Sequence, residues 1–467
     1  MERRQYLVKN TILFAANNFG TKLITFFLVP IYTATLTTEN YGIADLVTTI
    51  STIVVPIFTL NIGEAVMRFS LDKDVDKDSI MSVGLRYLIV GIILSLSIIP
   101  LINRIALLES YSYDITLYCI SIEIFTFMVC YLRGSEKIVQ YAVCNIIQVF
   151  SSSVLNIFFL VFCNMGIKGY FWGYIIGYLL GDFYAIFAGK LKYVIKQYNY
   201  DPLLAKKMIR YSIVLVPTSF MWWITNSSDR IMVSSMVGVE ANGIYAVAYK
   251  IPTIVSVLAT VFNQAWSYSA IKEDKSDDRE KFNNVMYDRI VAFQLILTSG
   301  LLLIICPFSA IYLSKEYTLS WKYTPYLLFG NFFMSVGTFL STSYTVNKDS
   351  KGFLVSGATG AVINIILNAI FIPIIEVYGA ALATCVSYIS VFIYRAIDTR
   401  KYLKLRLIKM DYIVCVGIMV IMCFMLYSSL RYKYLVLLCL FGIVVILERR
   451  ILCDIFYLFR RFLLKEK

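Results

Sequence analysis

Apolar runs long enough to cross a membrane follow one another along the whole chain. A helix needs about 20 apolar residues to span the ~30 Å hydrocarbon core of a bilayer. Runs of that length, separated by short polar breaks, predict fourteen spans in the 467 residues. The predicted spans begin near Val8, Gly42, Ile80, Asp114, Ile138, Tyr170, Met208, Val239, Asn283, Ser320, Gly352, Gly379, Asp411 and Tyr434. With 59% hydrophobic and 16% charged residues, the chain is an all-α polytopic membrane protein rather than a soluble enzyme, a disordered chain or a secreted disulfide scaffold.

The distribution of basic residues predicts the orientation of these spans. The net charge is +13. If the N-terminus is cytoplasmic and each span reverses the chain, about 32 of the 43 basic residues fall in inside segments and about 6 outside. One span too many or too few would destroy this asymmetry. We therefore predict a multi-pass protein with a cytoplasmic N-terminus, and the basic excess indicates no nucleic-acid partner.

The composition also limits the chemistry of any site. The sequence contains no histidine, and its ten cysteines lie in apolar runs without the paired spacing of a zinc site. We expect no metal site, no cofactor and no catalytic residue. Any proton coupling would have to use carboxylates.

Two pairs of similar segments recur at nearly the same offset. Residues 38–44 open the second span as TENYGIA, and residues 240–246 open the eighth as EANGIYA. A second pair, 156–178 and 368–388, shares an asparagine, a small-residue turn and a tyrosine. An offset of about 200 residues covers six spans, so the halves are parallel repeats around an axis along the membrane normal. Parallel halves enclose a central cavity.

This repeat predicts three regions. Residues 1–200 form an N-terminal six-helix lobe and residues 201–400 a C-terminal six-helix lobe. Residues 401–467 add two further transmembrane helices and a basic amphipathic tail, because Glu448-Arg449-Arg450 shortens the last span.

Lysines inside predicted spans are the strongest functional signal. A charge at the bilayer centre costs roughly 2.5–3.5 kcal/mol, so Lys22 and Lys250 must face water, a partner charge or a ligand. Helical spacing places Thr25 on the face of Lys22 and Thr253 on that of Lys250. We predict that both lysines line a cavity that selects an anionic substrate.

Other charged residues in or near the spans keep several interpretations open. Lys22 pairing with Asp45 would be a structural ion pair, and one member of the Asp229-Arg230 dipeptide could bridge two helices. Arg68 lies near a helix end, where its side chain could reach the headgroups. We take Asp45, Glu64 and Asp229 as candidate coupling or ion-pair acids. Glu123 and Asp182 are further intramembrane acids without a distinguishing pattern.

Short motifs in a specific order resemble one transporter family. The strongest segment contains Asn364, Asn368, Pro373 and Tyr378-Gly379-Ala380-Ala381. The others are Lys9-Asn10-Thr11, Glu39-Asn40-Tyr41-Gly42, Arg68-Phe69, Asp229-Arg230, Gly243-Ile244-Tyr245 and Ala248-Tyr249-Lys250. Together they resemble bacterial oligosaccharide flippases, the polysaccharide-exporter branch of the multidrug/oligosaccharidyl-lipid/polysaccharide superfamily. The resemblance covers almost the whole chain.

The resemblance implies a function as well as a fold. It implies two six-helix lobes that move a polyprenyl-diphosphate-linked oligosaccharide from the inner to the outer leaflet of the bacterial inner membrane by alternating access. By position, Lys22, Arg68, Arg230 and Lys250 would be cations that grip the diphosphate. It also implies Na⁺ or H⁺ coupling, contact with membrane lipid, and partner glycan polymerases or glycosyltransferases of a capsule or lipopolysaccharide pathway.

Two other functions are open to a chain of this kind. A drug/cation antiporter of the same superfamily would carry an acid-dominated cavity, against which the lysines argue. A membrane-embedded glycan polymerase would carry a large extracytoplasmic loop with catalytic acids or arginines. The longest predicted outside loop, residues 103–113, is too short to favour it.

Overall fold

The chain folds as helices joined by short connections. The computed structural model of the protein describes residues 2–72, 76–189, 199–272, 278–347 and 349–449, and within them there is no strand. The helices are α1 (Glu2–Thr35), α2 (Thr38–Phe58), α3 (Ile62–Ser70), α4 (Lys77–Ser97), α5 (Ile99–Ile102), α6 (Ser112–Gly134), α7 (Ile138–Ile157), α8 (Gly166–Gly189), α9 (Pro202–Met236), α10 (Val239–Ala248), α11 (Lys250–Lys272), α12 (Arg279–Tyr312), α13 (Thr324–Val346), α14 (Ser350–Asp398), α15 (Met410–Leu426) and α16 (Lys433–Leu447). The predicted all-α fold class is confirmed.

Capping side chains fix several helix starts. Thr37, Asp76 and Asp201 each accept a hydrogen bond from a backbone N–H group in the first turn of α2, α4 and α9. Pro202 is the first residue of α9, where its missing N–H group is not needed. These local signals explain why the helices begin close to the polar breaks in the sequence.

Several helices are long and apolar enough to cross a bilayer. Among the described residues, seven segments meet that condition, or eight if the bent pair α10 and α11 counts as one span. The seven segments are Thr38–Phe58, Lys77–Ile102, Glu109–Gly134, Ile138–Phe162, Gly166–Gly189, Arg279–Tyr312 and Ser350–Lys401. The last is interrupted at Ile375 and Glu376, where the backbone leaves helical geometry. The total of fourteen spans stays a prediction.

The surface of these helices is apolar while polar side chains are buried. Ile311, Ile374 and Phe424 are more than 70% exposed, whereas Asn368 and Gln294 are fully buried. A chain dissolved in lipid has this distribution, because apolar side chains can face acyl tails and polar groups must find partners inside the protein.

Contacts along the chain form two compact units, Met1–Gly243 and Ile244–Lys467. The sequence-based division at residues 200 and 400 concerns a repeat rather than contacts, and it stays a prediction. The predicted amphipathic tail falls on residues 450–467, which lie outside the described residues.

In the first unit, α7 and α8 pack closely because glycines allow the backbones to approach. A Cβ atom added at Gly177 would lie 2.0 Å from Ser152 Oγ and 2.8 Å from the Ser152 backbone nitrogen. Gly173 similarly faces Asn156, which is fully buried. Small residues at such contacts are typical of helix packing in membranes.

We expect Gly177→Ala to lower the thermal stability of the purified protein. The new methyl group would force α7 and α8 apart, at a cost of roughly 1–3 kcal/mol. Gly357→Ala is the matched control, since a Cβ there meets no atom within 4 Å. Equal unfolding temperatures for the two variants in detergent would contradict the close contact.

In the second unit, the last two helices pack against α12. The apolar core of this unit includes residues of both helices: Cys415, Met419 and Met422 of α15, and Leu437 and Val444 of α16. The cysteine therefore acts as a small buried apolar residue, as the sequence predicts.

A carboxylate outside the helices connects two segments of this unit. Asp349 accepts hydrogen bonds from the Tyr402 hydroxyl (2.6 Å) and from the Gly352 N–H group (2.8 Å) at the start of α14. These donors lower the pKa of Asp349 to about 2. The carboxylate therefore contributes stability above its ordinary pKa of about 4, and this contribution is lost as pH falls through about 2.

We expect Asp349→Asn to unfold at a lower temperature than the wild type at neutral pH. The difference should shrink as the pH falls from about 4 towards 2, because the wild-type carboxylate then becomes protonated. Thermal unfolding across that pH range checks this. A difference that does not depend on pH would show that the charge of Asp349 is not the cause.

Candidate functional site

A buried ion pair joins α2 and α9 in the first unit. Arg230 Nη1 lies 2.6 Å from Asp45 Oδ1, with the Asp45 side chain 7% exposed and that of Arg230 18% exposed. Pairing lowers the cost of holding both charges away from water. The sequence suggested Lys22 as the partner of Asp45, and a bridge between helices from Asp229 or Arg230 without a named partner. In the structure Arg230 makes that bridge, and its partner is Asp45.

The amide of Asn242 completes the surroundings of Asp45. Asn242 Nδ2 lies 3.5 Å from Asp45 Oδ2 and 3.2 Å from the carbonyl oxygen of Gly42. Asn242 is fully buried. In the sequence Asn242 is part of the repeated motif, and no signal there indicates that it donates a hydrogen bond to the acid.

The two copies of the repeated motif contact each other reciprocally. A Cβ at Gly42 would lie 2.0 Å from the carbonyl oxygen of Val239, and a Cβ at Gly243 would lie 2.0 Å from that of Thr38. Thr38 also donates a hydrogen bond to Glu240 (3.1 Å). The two contacts are exchanged between equivalent positions of the motifs, so each glycine is needed for backbone approach.

Lys22 lies close to this ion pair. Its side chain on α1 is exposed, and it is near enough to Arg230 for the two positive charges to repel. The hydroxyl of Thr25 donates to the carbonyl oxygen of Lys22 (2.9 Å). The structure thus brings together three predicted site residues, Lys22, Asp45 and Arg230.

Asp229 is held differently from its neighbour. Its carboxylate accepts a hydrogen bond from the backbone N–H group of Arg230 (2.9 Å), and its side chain is 2% exposed. The side chains of Asp229 and Arg230 leave α9 in different directions, and it is Arg230 that bridges to α2.

Tryptophan and asparagine side chains add further polar links to α9. Trp223 Nε1 donates to the carbonyl oxygen of Thr49 on α2 (2.8 Å), and Asn61 donates to Ser219 (3.2 Å). Asn61 has a positive φ of 53° at the break between α2 and α3. The sequence offered no signal for this break beyond Pro56.

Arg68 and Glu64 form ion pairs elsewhere on α3. Arg68 pairs with Asp72 at 2.7 Å, and half of its side chain is exposed. Glu64 lies 3.9 Å from Arg133 of α6. Both residues therefore have charged partners other than Asp45 and Arg230.

Lys250 belongs to the second unit. It is the first residue of α11, directly after a 42° bend that separates α10 from α11. Its carbonyl oxygen accepts a hydrogen bond from Thr253 (2.5 Å), as the carbonyl of Lys22 does from Thr25. The two lysines thus share one local arrangement. In the described part of the chain, no three metal-ligating side chains cluster together.

The fold matches solved transporter structures over most of the chain. Lipid II flippase MurJ, in an inward closed conformation, has 17% identity and a TM-score of 0.70, covering 95% of this chain and 100% of that one. An inward-facing MATE family multidrug resistance transporter has 11% identity and a TM-score of 0.63, covering 83% and 97%. A MOP superfamily transporter from Pyrococcus furiosus has 14% identity and a TM-score of 0.59, covering 84% and 94%.

These matches show the fold, an all-helical arrangement shared with solved flippase and transporter structures. The model of the polysaccharide biosynthesis protein family matches residues 7–268, and the chain belongs to that family. The resemblance seen in the sequence is confirmed. A sequence comparison with curated proteins gives no match.

We expect Asp45→Asn and Arg230→Gln each to destabilise the protein by roughly 1.5–3 kcal/mol, because each leaves a charged partner without its counterion. The double variant should lose less than the sum of the two. Arg68→Gln is the control, since its pair with Asp72 is exposed and contributes little. Strictly additive shifts in unfolding temperature would mean that Asp45 and Arg230 do not interact.

Proposed function

We propose that this protein is a flippase that moves a polyprenyl-diphosphate-linked oligosaccharide from the cytoplasmic to the outer leaflet by alternating access. Membership of the polysaccharide biosynthesis family and the shared fold with a lipid II flippase support this substrate class. The observation that carries it is the position of Lys22. Its side chain is exposed beside Arg230, and Asp45 pairs with Arg230 rather than with Lys22, so the lysine is available to an anion.

The chemistry of the substrate fits these cations. A diphosphate carries several negative oxygens, and a lysine ammonium is a compact point charge suited to it. The guanidinium of Arg230 adds several N–H donors, and its Nη1 already donates to Asp45. In this proposal Lys22, Arg230 and Lys250 hold the diphosphate during passage, while the exposed Arg68 makes a smaller contribution.

The same proposal includes a membrane location, partner enzymes and a driving ion gradient. In this proposal the N-terminus is cytoplasmic, which the excess of lysine and arginine in alternate loops supports, and the membrane is the bacterial inner membrane. Glycosyltransferases that build the lipid-linked glycan would supply the substrate, and a glycan polymerase would consume it. A Na⁺ or H⁺ gradient would drive the cycle.

A second function, cation-coupled export of drugs or other small molecules, draws support from the MATE transporters that share the fold. Such a protein would bind cations, and Lys22 beside Arg230 repels them. Export of a cationic dye from vesicles, without movement of lipid-linked glycan, would favour this alternative.

The test is translocation of a fluorescent polyprenyl-diphosphate oligosaccharide in vesicles containing the purified protein. We expect the wild type to move the lipid without forming a new product. Lys22→Gln and Arg230→Gln should each reduce the rate about tenfold or more, because a charged hydrogen bond contributes roughly 1.5–3 kcal/mol. Lys22→Arg keeps the charge and should retain most of the activity.

Arg68→Gln is the second control, and it should lower the rate less than Lys22→Gln because Arg68 is already paired with Asp72. Each rate is normalised to the amount of folded protein in the vesicles, because Arg230→Gln is itself expected to unfold at a lower temperature. Wild-type rates in both Lys22→Gln and Arg230→Gln would reject the proposed role of these cations.

A further inference from the structure

A stripe of tyrosines on α8 ends at a buried acid. Tyr170, Tyr174, Tyr178 and Asp182 follow one another at intervals of four residues, so they lie on one face of the helix. The ring centroids of Tyr170 and Tyr174 are 4.9 Å apart, and those of Tyr174 and Tyr178 are 6.4 Å apart. Asp182 follows one helical turn later.

Neighbouring helices add hydroxyl groups to this stripe. The hydroxyls of Tyr32 on α1 and Tyr174 form a hydrogen bond of 3.4 Å. The ring of Tyr118 on α6 lies 6.1 Å from that of Tyr174 and 6.2 Å from that of Tyr178, and its hydroxyl interacts with Tyr178. The hydroxyls of Tyr170 and Tyr174 also interact. The hydroxyls therefore form a connected group that ends at Tyr178, one helical turn before Asp182.

Asp182 is buried without a partner. It is 4% exposed, and neither carboxylate oxygen has a hydrogen-bond partner among the residues that the structure describes. The titratable groups that face it are the Cys144 thiol of α7, which donates to the carbonyl oxygen of Gly181, and the Tyr178 hydroxyl of its own helix. From α6, the apolar ring of Phe125 packs against Gly181.

The environment of Asp182 favours one protonation state. A carboxylate in an apolar interior without donors is costly, and burial favours the neutral acid. Two other acids of this unit differ, since Asp45 pairs with Arg230 and Glu123 accepts a hydrogen bond from Ser95 (2.5 Å). A charged Asp182 therefore has to acquire a proton or be reached by water.

We propose that Asp182 is a proton-binding residue and that the tyrosine hydroxyls of α8, with Tyr32 and Tyr118, are the relay through which protons reach it. A hydroxyl can accept one proton and donate another, so a proton taken from water at the Tyr170 end displaces one proton along the series. The Tyr178 hydroxyl, one helical turn away, passes its own proton to the Asp182 carboxylate when the side chain of Asp182 or a bridging water closes the gap, and release follows the reverse order. Chains of ionisable and polar groups inside membrane helices commonly serve as proton paths.

A metal cation fits this position poorly. Sodium and calcium need several oxygen ligands, whereas Asp182 is the sole carboxylate of the stripe and no group of three metal-ligating side chains occurs in the described residues. The proton needs one carboxylate and a hydroxyl path, which are both present. Use of this proton to drive transport rests on the proposed function, whereas proton binding itself does not.

Infrared pH-difference spectra of the purified protein in detergent test the binding residue without any substrate. We expect the C=O stretching band of a protonated carboxyl group in the wild type and its loss in Asp182→Asn. Glu123→Gln is the matched control, a buried acid of the same unit with a hydroxyl partner, and it should keep the Asp182 band. If Asp182→Asn and the wild type give the same spectra, Asp182 does not bind the proton.

The relay is tested on proteins that keep Asp182. After transfer to D₂O, the shift of the Asp182 band reports proton exchange. Tyr178→Phe should slow this exchange about tenfold, because it removes one hydrogen-bonding hydroxyl from the relay. Tyr131→Phe is the control, because its hydroxyl donates to Gly189 of α8 outside the stripe (3.0 Å). Exchange at the wild-type rate in Tyr178→Phe would overturn the relay.

Vesicle transport then separates this proposal from the flippase function. If protons bind at Asp182 and drive transport, Asp182→Asn should lose acceleration by an inward pH gradient while keeping the slow gradient-free rate. Movement of lipid-linked glycan with an unchanged response to the gradient would overturn the coupling role alone. Lack of glycan movement in the wild type would reject the flippase function and leave the infrared result unaffected.

Discussion

The interior of this protein is organised by the absence of water in the surrounding lipid. Apolar side chains such as Ile311 and Phe424 can face acyl tails at no cost, so burial of apolar surface does not decide which helix faces pack together. Polar groups decide it, because each must find a partner within the protein. The bridge between Asp45 and Arg230 and the amide of Asn242 connect α9 and the start of α10 to α2 for this reason.

Close backbone contacts act together with these polar links. Gly42 and Gly243 occupy equivalent positions in two similar segments, and each allows the other segment's backbone to approach. A larger residue at either position would separate the helix starts and lengthen the distance from Asn242 to Asp45. The repeated glycines, Asn242 and the buried acid are therefore parts of one contact.

The sequence predicted the helices better than their partners. Apolar runs and polar breaks place helix starts within a few residues, as at Ile138 and Val239, because span length is set by the bilayer. The break at Asn61 was missed, since a positive φ at an asparagine leaves no periodic signal. The pairing of Asp45 with Arg230 was also missed, and Lys22 was suggested instead, because a sequence gives the face of a helix but not which helix it meets.

Three of the buried acids in the first unit, Asp45, Glu123 and Asp182, have different environments. Asp45 has a guanidinium partner, while Glu123 has a single hydroxyl donor from Ser95. Asp182 has neither, and only a series of tyrosines leads to it. Environments that favour opposite protonation states separate the roles of chemically similar groups. The acid paired with a guanidinium then suits a structural or substrate-facing position, and the unpartnered acid suits reversible binding of a proton.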